Sequence, residues 1–160
     1  MLPSFRAATV LVLAALVAAA ALAAAHPASA VTIRVPADEP TIQAGLDAAG
    51  PGDLVLVAPG TYTGPGNRDL DFQGEDIELR SEAGAAATII DCAGEGRGFL
   101  FLSGETSAAI VDGFTIRGGS ADAGGGMLCA GAATAPTITR CVFDRNLALG
   151  EGGGALACDL

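Results

Sequence analysis

The sequence contains no lysine and no tryptophan, only one tyrosine, and a single histidine, His26. Histidine is the most frequent general base in enzymes and the most frequent protein metal ligand. Once the N-terminal segment discussed below is removed, no histidine remains. This absence excludes Ser-His-Asp triads, Cys-His pairs and histidine-based zinc sites from residues 31–160.

Positive charge is also scarce. Arginine supplies all 8 basic residues against 18 aspartates and glutamates, so the formal net charge is −10, and it is −11 without Arg6. An acidic surface argues against nucleic acids and anionic membranes as partners. The composition leaves surface glycans or other proteins as partners, and a membrane only through the N-terminal segment or an anchor beyond residue 160.

The N-terminal segment has the pattern of a signal peptide. Arg6 precedes an apolar run over residues 7–25, and Ala28-Ser-Ala30 is a small-x-small cleavage site. This pattern predicts cleavage after Ala30 and export, either to the cell surface and outer membrane or to the medium, with the periplasm also open. A membrane anchor is the alternative, because the apolar run is nearly long enough to span a bilayer.

Residues 110–160 contain two similar passages. Val111 to Ile138 and Ile116 to Phe143 are both 27 residues apart, and Gly124 to Gly152 is 28 residues. A fixed period of this length is typical of stacked-repeat proteins. The short β-branched runs and glycine triplets predict coils of about 28 residues in a parallel β-solenoid. The triplets are expected at sharp turns, where glycine adopts a positive φ.

The same passages resemble a known repeat family. Phe143-Asp-Arg-Asn146 matches its FxxN motif, and Gly153-Gly154-Ala155-Leu156 its GGA[ILV] motif. In the first passage Gly125-Gly126-Met-Leu takes the place of the second motif, and Gly119 takes the place of the asparagine. These are similar to polymorphic outer membrane protein repeats, which are right-handed parallel β-helices of the pectin-lyase-like superfamily. The resemblance implies that fold and bacterial surface export, and Asn146 is expected to hydrogen-bond turn backbone.

The N-terminal part of the exported chain predicts a cap and a first coil over residues 31–62. Val31–Val35 is predicted as a strand, Thr41 as the N-cap of a helix over 42–49, and 53–58 as a buried strand followed by a turn over 59–62. Further strands are predicted over 76–80, 87–90 and 99–102. The opening resembles that of many secreted β-helix proteins, and the predicted helix is expected to cover the first edge of the solenoid.

Cysteine usage fits an exported chain, in which disulfides are permitted. The four cysteines are Cys92, Cys129, Cys141 and Cys158, and no CxxC motif occurs among them. Cys129 and Cys158 occupy equivalent repeat positions one coil apart. That separation suits either a disulfide or a stack of buried thiols, and the sequence does not choose between them.

Five charged residues are candidates for chemistry on an outer sheet: Asp112, Arg117, Arg140, Asp144 and Arg145. The repeat period places Asp112 near Arg140 and Arg117 near Arg145. Outward ion pairs worth about 0–1 kcal/mol explain this row without a reaction. No catalytic residue, cofactor site or metal site is therefore assigned. The run 152–160 does not match the calcium-binding nonapeptide pattern, because Ala155 replaces a glycine and Asp159 falls two places late.

The sequence thus predicts an exported, non-catalytic β-helix repeat protein, adhesin-like or a passenger segment, whose chain continues beyond residue 160. The alternative is a polysaccharide lyase or hydrolase of the same superfamily, whose active coils lie outside these residues. Further repeat coils would favour the first hypothesis. A cluster of Asp, Arg and Lys on one sheet would favour the second.

Overall fold

A computed structural model of the chain describes residues 29–131, 134–150 and 153–158, and of 156–158 it describes only the backbone. The predicted signal peptide therefore lies outside the described residues, apart from its last two positions. Cleavage after Ala30 stays a prediction. No helix in the described ranges is long and apolar enough to cross a membrane.

The described chain is built from short strands and one short helix. The elements in chain order are β1 Thr32–Val35, α1 Ile42–Ala48, β2 Leu54–Val57, β3 Gly60–Thr63, β4 Leu70–Asp71, β5 Glu78–Ser81, β6 Thr88–Asp91, β7 Phe99–Phe101, β8 Ile110–Asp112, β9 Thr115–Arg117, β10 Ser120–Ala121, β11 Met127–Cys129, β12 Thr137–Thr139, β13 Val142–Asp144, β14 Leu147–Ala148 and β15 Leu156–Cys158.

The strands form three main parallel sheets. The first sheet has the order β1-β2-β5-β8-β12, the second β3-β6-β9-β13, and the third β4-β7-β11-β15, while β10 and β14 form a small extra pair. From β2 onwards the chain visits the first, second and third sheets in that order and then starts again. This is a parallel β-solenoid of about three turns, which confirms the predicted solenoid, while its right-handedness stays a prediction.

The register between coils follows the predicted period. Val111 pairs with Ile138, and Ile116 pairs with Phe143 in the second sheet. Cys129 pairs with Cys158 in the third sheet. Equivalent residues of successive coils therefore lie directly beside each other, at the inter-strand spacing of about 4.8 Å.

The core is the interior of the solenoid. Strand residues alternate between the interior and the surface, because successive side chains of a strand point to opposite faces. Ile77 and Leu79 are buried, while Glu78 and Arg80 are half-buried on the outer side, as the alternating pattern predicts. Fully buried side chains from all three sheets fill the interior, among them Val111, Phe114, Ile116, Phe99 and Phe101.

The helix α1 covers the first end of this core. Thr41 is its N-cap and accepts a hydrogen bond from the Ala44 N–H at 3.2 Å. Ile42 and Leu46 face the interior and are buried. Gly45 lies so close to the first sheet that a Cβ there would be 2.9 Å from Cγ2 of Val35. The helix was predicted over 42–49 and ends one residue earlier.

One predicted turn is a strand. Residues 59–62 were expected to turn because of Pro59-Gly60, but Gly60–Thr63 forms β3 in the second sheet. The Gly60 N–H donates to the carbonyl of Ala87 at 2.9 Å, and the strand pairs with β6 along its length. Pairing with the neighbouring coil therefore overrides the local turn preference.

Candidate functional site

The repeat motifs form a contact between coils. The side-chain oxygen of Asn146 accepts a hydrogen bond from the Gly119 N–H, and its amide nitrogen donates to the carbonyl of Ile116, both at 2.9 Å. Gly119 is the residue 27 positions earlier that takes the place of this asparagine in the first passage. The side chain therefore joins its own turn to the turn of the preceding coil.

Phe143, the other residue of the FxxN motif, packs beside this asparagine. Its ring is half-buried against the core, and a Cβ on Gly126 would lie 2.6 Å from its Cδ1 atom. The same Cβ would lie 3.0 Å from Nδ2 of Asn146. Gly126 therefore leaves space for both residues of the motif, Phe143 and Asn146.

The glycine triplets serve mainly close approach, and this corrects the prediction. Gly124 has the expected positive φ of 57°, but Gly125 and Gly126 do not adopt a positive φ. A Cβ on Gly125 would overlap the carbonyl oxygen of Leu147, and one on Gly154 would overlap the carbonyl oxygen of Asn146. Gly152 lies outside the described residues.

The second triplet also contributes through its backbone. The carbonyl of Gly154 accepts a hydrogen bond from Gly126 N–H at 2.9 Å, and the carbonyl of Ala155 accepts one from Met127 N–H at 3.1 Å. Gly153 and Ala155 are themselves exposed, and Leu156 pairs in register with Met127. The two motifs of the last coil thus contact the Gly124–Met127 turn of the coil before it.

The cysteines are placed in and near the core. Cys92 and Cys129 are buried, and Cys141 is half-buried with its thiol donating to the carbonyl of Thr139 at 3.3 Å. Burial raises the pKa of the Cys92 thiol to about 11, so it remains protonated and packs as a small apolar side chain. The side chain of Cys158 lies outside the described residues, and its disulfide with Cys129 stays a prediction.

The predicted charged row divides between two corners of the solenoid. At the corner between the first and second sheets, Asp112 is buried and Arg140 reaches back to it from the next coil. The Arg140 Nε donates to Asp112 Oδ1 at 2.6 Å, and Nη2 contacts Oδ2. This bidentate hydrogen bond raises the pKa of Arg140 and compensates the buried carboxylate.

At the far end of the second sheet, Asp91, Arg117 and Asp144 are register partners in three successive coils. Arg117 donates from Nε and Nη2 to Asp91 Oδ2 at 2.9 and 2.8 Å. These bonds, together with one from the Ala93 N–H, hold the pKa of Asp91 below its usual value. Arg145 lies 3.5 Å from Asp144, and it shares an open depression of about 450 Å³ with Arg117.

Together, these contacts make the carboxylates of the predicted charged row poor candidates for general bases. A carboxylate that is held ionised by a guanidinium has a low pKa and is a weak general base at neutral pH. Asp91 is of this kind, and both oxygens of Asp112 are already occupied by the Arg140 guanidinium. In the described part of the chain, no group of three or more His, Cys, Asp or Glu side chains is placed to hold a metal ion.

Sequence reasoning missed a buried acid. Glu105 is completely buried, and its two carboxylate oxygens accept the N–H groups of Gly74 and Ser103, both at 3.1 Å. It lies in the irregular segment between β7 and β8, and Gly74 belongs to the preceding coil. No pattern in the sequence marks this contact, because the partners are backbone groups of an irregular turn.

Comparison with known proteins adds no relative to this picture. A search of protein-family models, curated proteins and solved structures finds no match to the chain. Function is therefore inferred from the motifs and from the contacts that they make.

Proposed function

We propose that this chain is a segment of an exported, non-catalytic, right-handed parallel β-helix, displayed at the cell surface as an adhesin-like or passenger structure. The observation that supports this most is the Asn146 side chain, which bonds two backbone groups of the preceding coil. A motif residue whose side chain bonds one coil to the next is typical of a scaffold that extends by repetition. The polymorphic outer membrane protein repeats, which this chain resembles, are such scaffolds.

The charged corners support a scaffold in the same way. Asp112 and Asp91 are each engaged by an arginine of a neighbouring coil, Arg140 and Arg117. Such pairs hold successive coils in register and satisfy a buried carboxylate, so they need no substrate to explain them. The signal-peptide pattern and the acidic composition favour display outside the cytoplasm, away from nucleic acids.

The alternative function is a polysaccharide lyase or hydrolase with active coils elsewhere in the protein. One feature of the described coils favours it, namely an open depression of about 470 Å³ whose lining includes Arg80 and Arg140. An acidic sugar would find guanidinium groups there. However, Arg80 is 3.0 Å from Glu78 and Arg140 is paired with Asp112, so both arginines already have carboxylate partners.

The experiment that tests the proposal uses the complete gene expressed in a bacterial host. Mass spectrometry of the exported protein should give an N-terminus at Val31, and protease added to intact cells should release β-helix fragments. Retention of residues 1–30 inside the cell would contradict the proposal. Purified protein that released unsaturated or reducing products from polyuronates would establish the alternative.

A further inference from the structure

The first backbone group to be bonded along the described chain is the nitrogen of Val31. It donates a hydrogen bond to Oδ1 of Asp53, and the two atoms are 2.7 Å apart. Ser29 and Ala30, the two described residues before it, are exposed and bond to no other described residue. The predicted cleavage after Ala30 would convert this nitrogen into the α-amino group of the exported protein.

The first sheet holds Val31 in this position. Its carbonyl accepts a hydrogen bond from the Leu54 N–H at 2.9 Å, and the pairing continues along β1 and β2. All of these bonds use groups that cleavage leaves in place. Removal of residues 1–30 therefore leaves the nitrogen of Val31 beside the Asp53 carboxylate.

The turn between α1 and β2 holds Asp53 from the other side. Its Oδ2 accepts the Gly50 N–H at 2.9 Å, and its own N–H donates to the Gly50 carbonyl at 3.0 Å. The hydrogen bonds from Val31 and Gly50 hold the pKa of Asp53 below its usual value, so the carboxylate is ionised at neutral pH. The fold thus sets both its position and its charge.

Asp53 has no cationic partner in the described part of the chain. None of the ion pairs among the described residues includes it, whereas Asp91 and Asp112 are each paired with an arginine. An ammonium group at the position of the Val31 nitrogen would supply the missing cation. The distance of 2.7 Å is typical of a charge-assisted hydrogen bond between an ammonium group and a carboxylate.

We propose that Asp53 is the binding site of the α-amino group that cleavage creates at Val31, so that processing adds an ion pair at the first end of the solenoid. The inference rests on the proposed function, because it requires the predicted cleavage after Ala30. It also ties the position of that cleavage to the fold. A chain that began at Ala30 would carry its ammonium group one residue away from the carboxylate, and a chain that began at Thr32 would lack the bonded nitrogen.

The first test compares two N-termini in the complete protein made without residues 1–30 or 1–29. A removable N-terminal tag leaves either Val31 or Ala30 as the first residue, so the two chains differ by one alanine. The Val31 chain should unfold at a temperature about 1–3 °C higher, as expected for one ion pair near the surface. In Asp53→Asn, which keeps an acceptor oxygen but removes the charge, this difference should vanish. Equal unfolding temperatures, or a difference that survives in Asp53→Asn, would overturn the inference.

A matched control uses Asp38, which lies in the turn after β1. Its Oδ2 accepts the Arg34 N–H at 2.8 Å, so it bonds a backbone nitrogen of the same strand that cleavage does not change. Asp38→Asn should leave the difference between the two N-termini as it is in the unchanged protein. Loss of the difference in this variant would show that it reports the general stability of β1, and would overturn the assignment to Asp53.

The second test measures the reactivity of the amino group. Residues 31–160 contain no lysine, so the N-terminal peptide carries a single primary amine, and mass spectrometry of that peptide follows its acylation. Acylation of the folded Val31 chain at pH 7 should be at least about twofold slower than acylation of Asp53→Asn, because an ion pair favours the unreactive ammonium form. Equal rates would overturn the Asp53 site alone. Retention of residues 1–30 by cells that express the complete gene would instead contradict the proposed function, and with it the natural role of the site.

Discussion

The two ends of the described solenoid bury the same kinds of side chain to different extents. At the first end, α1 lies over β1 and β2, so Val35 is 1% exposed and Leu46 is 3% exposed. In the last described coil, β12 and β13 have no strand beyond them among the described residues. Ile138 and Phe143 occupy interior positions there but are only partly buried.

The difference shows that a coil gains most of its burial from its neighbours. Ile116 and Phe143 are register partners in the same interior row, yet only Ile116, with a coil on each side, is completely buried. Stability in such a fold is close to a sum over neighbouring coils. Substitutions at equivalent interior positions should therefore have unequal effects.

The largest effect should come from comparing two interior aromatic residues, one completely and one partly buried. Phe114→Ala removes a completely buried ring with coils on both sides and should cost about 3–5 kcal/mol of unfolding free energy. Phe143→Ala should cost clearly less, because its ring is only partly buried. Chemical denaturation of both variants gives the comparison. Equal losses would show that the last coil is covered as fully as the interior.

A second comparison uses the two asparagines that join neighbouring structural layers. Asn67 is buried, accepts the Ile42 N–H of α1 at 3.0 Å and donates to the carbonyl of Thr63 at 3.1 Å. Asn67→Ala should cost about 1–3 kcal/mol, since it leaves the N–H of the buried Ile42 without a partner. Asn146→Ala should cost less, because the Asn146 side chain is only half-buried, whereas Asn67 is buried. Urea unfolding of both variants measures the two losses of unfolding free energy. A larger loss in Asn146→Ala than in Asn67→Ala would contradict the unequal burial of the two ends.

The helical cap itself allows a smaller test. Thr41→Ala removes the side-chain oxygen that accepts the Ala44 N–H and should cost about 1 kcal/mol. Thr41→Ser keeps that oxygen and is the matched control. Hydrogen exchange should show the loss in α1 and the adjacent β1, while amides of β9 and β13 keep their protection. A uniform loss of amide protection across the chain would mean that the cap and the coils unfold together as one unit.

The smallest effect concerns pH at the Asp91–Arg117 pair. Because the pKa of Asp91 is lowered in the folded state, the pair stabilises the protein above the unfolded pKa of Asp91 and loses this contribution as the pH falls through the folded value. Arg117→Gln should therefore be less stable at pH 7 by under about 1 kcal/mol, since the pair is partly exposed. The difference should shrink as the pH falls below the ordinary aspartate pKa of about 3.9 and through the lowered pKa of folded Asp91. A constant difference from pH 7 to pH 2 would exclude the ion pair as its cause.

Much of the fold could be predicted because it follows from periodic patterns. The 27-residue spacing of Val111 and Ile138 gives the register of the first sheet, since equivalent residues of stacked coils must lie side by side. The N-cap residue Thr41 gives the start of α1. The alternation of Ile77 and Leu79 with polar residues separates the interior from the surface.

The remaining features depend on contacts that no local pattern encodes. The short strand β4, Leu70–Asp71, exists because it pairs with β7. The close approach of Gly125 to the backbone of Leu147 could not be distinguished from a turn requirement, because both favour glycine. The pairing of Arg117 with Asp91, and the absence of a hydrogen bond to Arg145 within the described part of the chain, depend on where each side chain lies across the strands.

The side-chain bonds between coils have a consequence for how such a chain reaches its folded state. Asn146 bonds Gly119, Arg140 bonds Asp112 and Glu105 accepts from Gly74, and these partners are 27, 28 and 31 residues apart. A segment of the growing chain therefore needs only one further coil before its bonds can form. The entropy lost in closing a loop depends on loop length, so it is nearly the same for each coil. A β-solenoid held together in this way can be lengthened without making its later coils harder to fold.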